Sequence, residues 1–269
     1  MNLKTKYGRI IALFTFVCKF IAKKSFFCSV LVTFLMIQSP MPSPLILEIQ
    51  SNFPANIRKD IDVCLSLLAY APIWQTIEWQ LMLAEAGYVQ KSFFVGIYQS
   101  KKLLSYVLIE KRSIGFGLTG FFCIGGPIIG SAENHLDILS LILRQLAQKE
   151  KVVFIQMEPL TPVILPDFQV GKYKSFIEKH TALIDLRQDN ESLLARMKPK
   201  GRYNIRIAEK AGIQVDHVLP TEEHLDIFYN ILSETLERDN FAANSREYFR
   251  IFLQYLDKQK IGGLFFAKK

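Results

Sequence analysis

The sequence predicts a mixed α/β protein with two domains, and three observations support this prediction. Strand-like and helix-like segments alternate from residue 41 to the C-terminus. The chain has 269 residues, of which 50% are hydrophobic, enough to bury one large core or two modest ones. No internal repeat or low-complexity tract interrupts the alternation. We therefore expect a first domain over residues 41–171 and a second over residues 172–269.

The first domain shows two kinds of apolar spacing. Alternating or short continuous apolar segments predict strands, and apolar residues at steps of three and four predict helices. The predicted order is strand, helix, helix, three strands, helix and strand, at residues 45–49, 56–69, 76–85, 93–98, 103–111, 118–124, 136–148 and 152–157.

Three turns punctuate this domain. Residues 99–102 join two strands as a hairpin, and the Gly-Gly-Pro of residues 125–127 closes the third strand of that group. Residues 112–117 spell R-x-x-G-x-G, a string that can bind a pyrophosphate where a helix follows it. A strand follows here, so we predict a hairpin turn and infer no coenzyme binding.

The second domain has clear helix boundaries. Asp189 or Asn190, then Thr221 and Ser245, can accept hydrogen bonds from the free amides at helix starts. Pro199 is expected to split the first of these helices into two pieces. The predicted order is strand, split helix, two helices and strand, at residues 181–186, 191–212, 222–238, 246–256 and 261–267. The last strand has no assigned partner, so we predict an incomplete domain.

The split helix presents two different faces. Lys198, Arg202, Arg206 and Lys210 recur at steps of four, so their side chains can converge on a polyanion. The alternative is a solvated face on which Glu209 pairs with Arg206. The predicted apolar face consists of Leu194, Met197, Gly201, Ile205, Ala208 and Gly212.

Residues 1–40 are apolar and basic. Two apolar runs are broken by lysines, and neither reaches the roughly 20 residues of a membrane-spanning helix. A surface-lying anchor, an uncleaved signal-like segment and an upstream extension before a start at Met41 remain alternatives, and we favour the start at Met41. The net charge of +8 indicates a polyanionic partner or an acidic membrane surface.

Cysteine and histidine positions do not indicate a metal site. Cys18, Cys28, Cys64 and Cys123 lack CxxC spacing and lie in apolar surroundings, and the four histidines are scattered. We expect reduced thiols and no bound metal.

The segment from Asp185 to Gly212 also resembles the signature of the FemABX peptidoglycan bridge-forming aminoacyltransferases. Its Leu-Leu-x-x-Met-Lys-x-Lys-x-Arg-Tyr-Asn-Ile-Arg core agrees in residue type, spacing and order. Weaker matches occur upstream in Gln75-x-x-Glu78-Trp79 and in the Gly-Gly-Pro turn. Others lie downstream, at Phe228-Tyr229, Glu234, Thr235, Arg238, Asp239, Phe241 and Tyr248-Phe249.

This resemblance implies two GNAT-like domains, the second incomplete, and transfer of an amino acid from aminoacyl-tRNA to the peptidoglycan stem peptide. It implies no cofactor, a UDP-linked or lipid-linked muropeptide acceptor, and a cytoplasmic protein in peripheral contact with the membrane. Alternatives are a GNAT-like acyltransferase with another donor and acceptor, and a non-catalytic fragment that binds the precursor. The implied substrate-binding residues are Lys200, Arg202, Tyr203, Arg206, Gln75 and Trp79. Gln75 and Trp79 are four residues apart, so on one helical face they could line the same cleft.

Glu234, Thr235 and Arg238 have helical spacing, which suits either an internal salt-bridged motif or the border of the substrate cleft. Asp185 is expected to orient the neighbouring helix, and we assign it no role as a catalytic base.

Overall fold

The computed structural model describes residues 42–269 except 131–134, 170, 172–174, 179 and 181–183. The described chain forms two compact units. The second unit comprises Leu81–Gln90 and Lys174–Lys269, and the first comprises the remainder. The predicted anchor over residues 1–40 lies outside the described residues. In the described part of the chain, no helix has the length and hydropathy needed to cross a membrane.

The first unit contains a six-stranded mixed sheet. The elements up to the last strand of this sheet are β1 (Ser43–Glu48), α1 (Ala55–Ser66), a 3-10 turn (Ile73–Gln75), α2 (Ile77–Glu85), β2 (Lys91–Gln99), β3 (Lys102–Gly115), β4 (Leu118–Gly125), β5 (Ile128–Ile129), α3 (Leu136–Lys149) and β6 (Ile155–Pro159). The strand order is β1-β2-β3-β4-β6, and β5 pairs with β3. All pairs are antiparallel except β4 and β6, which a helical crossover makes parallel.

Helix α3 covers one face of this sheet. Alternate residues of the strands point to that face, while the buried residues of α3 recur at steps of three and four. Because β2 is buried along nearly its whole length, it reads as an almost continuous apolar run. The core on this face consists of Phe93, Val95, Ile97, Val107, Ile109, Phe121, Cys123, Leu139, Leu143, Leu146 and Leu165.

Gln75 completes the sheet where β3 and β4 separate. The β3–β4 ladder ends at the pair Glu110 and Phe122. If the ladder continued in the same register, Leu108 would pair with Ile124. The Gln75 amide nitrogen donates instead to the carbonyl oxygens of Leu108 (3.3 Å) and Ile124 (2.8 Å). Its amide oxygen accepts from the Leu108 N–H at 2.8 Å, and the side chain is fully buried.

Replacing Gln75 with leucine should therefore destabilise the fold. The change leaves three buried backbone groups without partners, so the free energy of unfolding should fall by roughly 2–4 kcal/mol in urea unfolding. Gln145→Leu makes the same substitution at an exposed position of α3 and should stay within about 0.5 kcal/mol of wild type. Equal stability of the two variants would contradict this role.

His135 is a buried histidine immediately before α3. It is 1% exposed, and neither ring nitrogen has a hydrogen-bond partner among the described residues. Burial lowers the pKa of its imidazole below the usual value because the charged form is desolvated. The folded state therefore holds this proton less tightly than the unfolded state.

Stability should consequently fall in acid through His135. The unfolded state takes up the proton below about pH 6.5, at a cost of at most about 1.4 kcal/mol per pH unit. Between about pH 7.5 and about pH 5.5, the urea midpoint of His135→Leu should fall less than that of wild type. His180→Leu, at an exposed position, should keep the wild-type pH dependence. An unchanged pH dependence in His135→Leu would contradict the assignment.

The second unit packs two helices against a two-stranded sheet. Its elements are α4 (Asn190–Arg196), α5 (Pro199–Lys210), β7 (Gln214–Val218), α6 (Glu222–Asp239), α7 (Arg246–Gln259) and β8 (Leu264–Lys268). Thr221 and Ser245 cap α6 and α7 by accepting from backbone amides, as predicted. The core consists of Leu225, Leu253 and Leu264, with Val218, Phe228, Phe249, Phe252, Leu256 and Phe266 packed around them.

Strand β7 was not predicted from the sequence. Its five residues include Asp216 and His217, so they lack a clear apolar alternation. This strand pairs antiparallel with β8, so the final strand does have a partner, contrary to our expectation. The prediction that the second domain is incomplete rested on an unpaired last strand. It no longer has that support and stays a prediction.

The predicted strand over residues 181–186 needs correction. Residues 181–183 lie outside the described residues, and Ile184 and Asp185 are not in a strand. The Asp185 carboxylate accepts from the backbone N–H of Arg187 at 3.1 Å and from its guanidinium at 2.8 Å. This local bonding favours a turn over an extended strand. The other predicted elements are present with shifted ends, and residues 99–102 form a hairpin turn as predicted. The second predicted hairpin is also present, but β3 continues to Gly115, so its turn lies between Gly115 and Leu118.

Candidate anion-binding site

The site lies at the corner between α4 and α5. Asp189 caps α4, since its carboxylate accepts from the Ser192 N–H at 2.8 Å. The chain becomes extended at Met197 and Lys198, and α5 begins at Pro199. A residue that precedes proline is disfavoured in helical geometry, so the proline sets the position of this corner. The predicted split of the helix is confirmed.

Four cations recur along α5 at steps of four. Lys198 stands at the N-cap, and Arg202, Arg206 and Lys210 follow on successive turns. Arg206 and Lys210 are exposed, and Arg206 forms no ion pair with any described residue, Glu209 included. Their charges are therefore available to a ligand.

Arg202 is used within the corner. Its guanidinium donates to the carbonyl oxygen of Met197 and, at 3.5 Å, to that of Ala195. These carbonyls belong to the last turn of α4 and its C-cap, which lack intrahelical partners. Arg202 thus fastens α4 to α5, and only its remaining N–H groups can reach a ligand.

The start of α5 concentrates positive charge. Lys198 and Lys200 lie at its first turn, which contains no acidic residue and no side-chain cap. In contrast, the first turns of α4, α6 and α7 all contain glutamate. The amide end of a helix carries partial positive charge, so cations there are unfavourable unless an anion binds. This arrangement suits a phosphate or another oxyanion.

The six predicted site residues do not share one element. Lys200, Arg202 and Arg206 lie on α5 with Tyr203, which is 63% exposed. Gln75 and Trp79 belong to the first unit.

The prediction that Gln75 and Trp79 share one helical face is wrong. Gln75 ends the 3-10 turn, Thr76 is extended, and Trp79 lies in α2. The Gln75 amide is bonded to the sheet backbone, which gives this residue a structural role. The Trp79 side chain is half-buried. The sequence spacing did not reveal the break at Thr76.

The predicted apolar face also divides. Leu194 and Met197 are 38% and 41% exposed and lie before the corner, and no residue of α5 is fully buried. Proline interrupts the helix, so residues on its two sides do not follow one periodicity. Gly212 has a positive φ of 77° and lies beyond the end of α5 at Lys210.

The downstream block contains no Glu234–Arg238 salt bridge. The Arg238 guanidinium pairs with Asp239, and the Thr235 hydroxyl donates to the Ile231 carbonyl oxygen at 3.0 Å. Arg187 lowers the pKa of Asp185 through hydrogen bonds to its carboxylate, which leaves that group a weak base.

No described residues form a cluster of three or more histidine, cysteine, aspartate or glutamate side chains suited to a metal. Cys64 and Cys123 are free thiols, and burial raises the pKa of both. Cys18 and Cys28 lie outside the described residues.

The segment that contains this site is similar to a known protein family. Residues 167–262, which contain α5, match the model of the FemAB family. No curated protein sequence matches the chain.

A crystal structure of FemX shares the fold. Its TM-score is 0.63 at 17% identity, with 83% of this chain and 57% of the FemX chain covered. A ribosomal-protein-alanine N-acetyltransferase from Brucella melitensis biovar Abortus 2308 gives a TM-score of only 0.37 at 10% identity, over 52% of this chain and 100% of its own. The predicted mixed α/β class is confirmed, and the assignment of two GNAT-like domains stays a prediction.

Arg202→Ala should loosen the corner between α4 and α5. Loss of its hydrogen bonds to the α4 carbonyls should speed hydrogen exchange of the α4 amides by roughly threefold to tenfold. Arg206→Ala removes an arginine one turn later and should leave that exchange unchanged. Equal exchange rates in the two variants would show that Arg202 does not fasten the corner.

Proposed function

We propose that this protein is a tRNA-dependent aminoacyltransferase of peptidoglycan bridge formation. In this proposal it moves an amino acid from an aminoacyl-tRNA ester onto an amine of the stem peptide. The start of α5 and its exposed cations bind the diphosphate of a UDP-linked or lipid-linked muropeptide. The observation that carries the proposal is the excess of cations at an uncapped helix start, with no acid in its first turn.

The match of residues 167–262 to the FemAB family model supports the proposal, because the matched segment contains the whole of α5. Arginine presents paired N–H donors to phosphate oxygens, and lysine supplies a compact charge. Arg206 and Lys210 can supply one of each, while the exposed Tyr203 can add a hydroxyl donor. The chain spans 57% of the length of the FemX chain that it matches.

The proposed reaction requires little chemistry from side chains. The acceptor amine attacks the ester carbonyl carbon, the bond to the ribose oxygen breaks, and the amine proton ends on the released hydroxyl. Alignment of amine and ester, together with fixed donors to the developing oxyanion, can supply most of the acceleration. The ester is already activated, so the proposal includes no cofactor and no general base.

The proposed donor and acceptor share one electrostatic property. Both aminoacyl-tRNA and the muropeptide diphosphate are polyanions, and the protein carries a net charge of +8. These precursors are proposed to be met in the cytoplasm, at the inner face of the membrane when the acceptor is lipid-linked.

Neutralising the cations of α5 should weaken precursor binding. Arg206→Gln should raise the dissociation constant of UDP-MurNAc-pentapeptide by about tenfold or more, the scale of a lost charge-assisted hydrogen bond. Lys210→Gln should act in the same direction with a smaller effect. Titration calorimetry at low and high salt measures both, and wild-type affinity should fall as salt rises.

The matched control is Lys258→Gln, since Lys210 and Lys258 each occupy the last turn of a helix and are exposed. Affinity in this variant should equal that of wild type. An equal loss of affinity in Lys210→Gln and Lys258→Gln would show that only the net charge of the protein matters. Unchanged affinity in Arg206→Gln would show that α5 is not part of the precursor-binding site.

A further inference from the structure

The β3–β4 turn of the first unit exposes an apolar tip. Phe116, at its centre, is 104% exposed, so its ring packs against none of the described residues. Ile114 and Leu118 on either side are 39% and 47% exposed. Gly115 and Gly117 have positive φ angles of 95° and 73°, which form the tight turn that holds Phe116 outward.

A second apolar segment lies beside this tip. The Val153 N–H donates to the Thr119 carbonyl oxygen at 2.9 Å, and the Phe121 N–H donates to that of Phe154 at 3.0 Å. These bonds align residues 153 and 154 with the start of β4. Val153 is 54% exposed and Phe154 is 39% exposed. The exposed apolar surface therefore extends from the hairpin tip to the neighbouring strand.

Packing beneath this surface fixes it in place. The Phe154 ring meets the Phe122 ring edge to face, with centroids 5.3 Å apart. Gly120 makes room for it, because a Cβ at that position would lie 2.6 Å from the Phe154 ring. The Phe154 ring is thus seated on the strands next to the tip.

Basic residues flank the tip with an excess of charge. Lys111 is bonded to Glu150 at 2.9 Å and Arg112 to Glu110 at 2.7 Å, so these four charges cancel. Lys149 and Lys151 are exposed and form no ion pair within the described part of the chain. Lys151 lies two residues before Val153, which places its charge beside the apolar segment.

We propose that this hairpin tip, defined by Ile114, Phe116, Leu118, Val153 and Phe154, docks on an anionic lipid bilayer. The tip carries apolar side chains for the boundary between headgroups and acyl chains, and Lys149 and Lys151 carry positive charge for anionic headgroups. A fully exposed ring on a protruding turn suits insertion into a bilayer better than packing on a flat protein surface. The proposal depends on neither the anion site nor the reaction proposed above.

Vesicle binding of the full chain tests this surface. Vesicles of equimolar phosphatidylglycerol and phosphatidylcholine are compared with pure phosphatidylcholine by flotation. Phe116→Ser should lower the partition coefficient on the anionic vesicles by about tenfold. Its melting temperature should match wild type, because the ring is fully exposed in the described part of the chain. The double variant Lys149→Gln, Lys151→Gln should lower binding to anionic vesicles and leave binding to phosphatidylcholine unchanged.

The control is Ile164→Ser, at a position of the same unit that is 88% exposed and outside the hairpin. All variants retain residues 1–40, so any binding by that segment is common to them. Ile164→Ser should bind as wild type does. Equal partition of Phe116→Ser and Ile164→Ser would overturn the proposal and leave the tip to a protein partner.

A second readout reports insertion at the position itself. In Phe116→Trp, brominated phosphatidylglycerol vesicles should quench tryptophan emission beyond the background of Trp74 and Trp79 measured in wild type. Absence of additional quenching would overturn the proposal.

Discussion

The Gln75 amide is the contact on which the sheet of the first unit depends. β3 pairs with β4 at one end and with β5 farther along, so β4 must leave β3 partway. Separation of two strands exposes backbone groups that cost free energy when buried. Gln75 satisfies them from a short turn, and the Tyr106 hydroxyl holds that turn by donating to the Gln75 carbonyl oxygen at 2.9 Å. β4 can then pair in parallel with β6 at the same end.

In the second unit, positive charge is concentrated at the start of α5, where the helix dipole disfavours it. Pro199 sets the corner, and Arg202 closes it through the α4 carbonyls, so the first turn of α5 keeps Lys198 and Lys200 together. No acid in that turn offsets them, unlike in the neighbouring helices. Such a surface stores unfavourable electrostatic energy that an oxyanion would relieve. Exposed Arg206 and Lys210 extend the same charge along the helix.

Local patterns predicted most elements, while contacts distant in sequence decided what was missed. Periodicity located α3, and capping residues located α6 and α7, because both signals act within one or two turns. We predicted that Gln75 lines a cleft, because the residues around it in the sequence do not show that β3 and β4 separate next to its side chain. The cations of α5 were predicted from their spacing. That spacing could not show that the Arg202 guanidinium donates to the α4 carbonyls. Lys198 and Lys210 are therefore more available to a ligand than Arg202 is.

Aminoacyl transfer by the full chain is the measurement that tests the proposed function most directly. The protein is incubated with a mixture of labelled aminoacyl-tRNAs and UDP-MurNAc-pentapeptide, and the muropeptide is analysed by mass spectrometry. We expect the mass to increase by one amino acid, with a sharp reduction in the double variant Arg206→Gln, Lys210→Gln. Transfer from an acyl coenzyme A without tRNA would identify a different acyltransferase. If the muropeptide binds through α5 but never gains mass, the proposed transferase activity is contradicted. The protein would then be one that binds the precursor without modifying it.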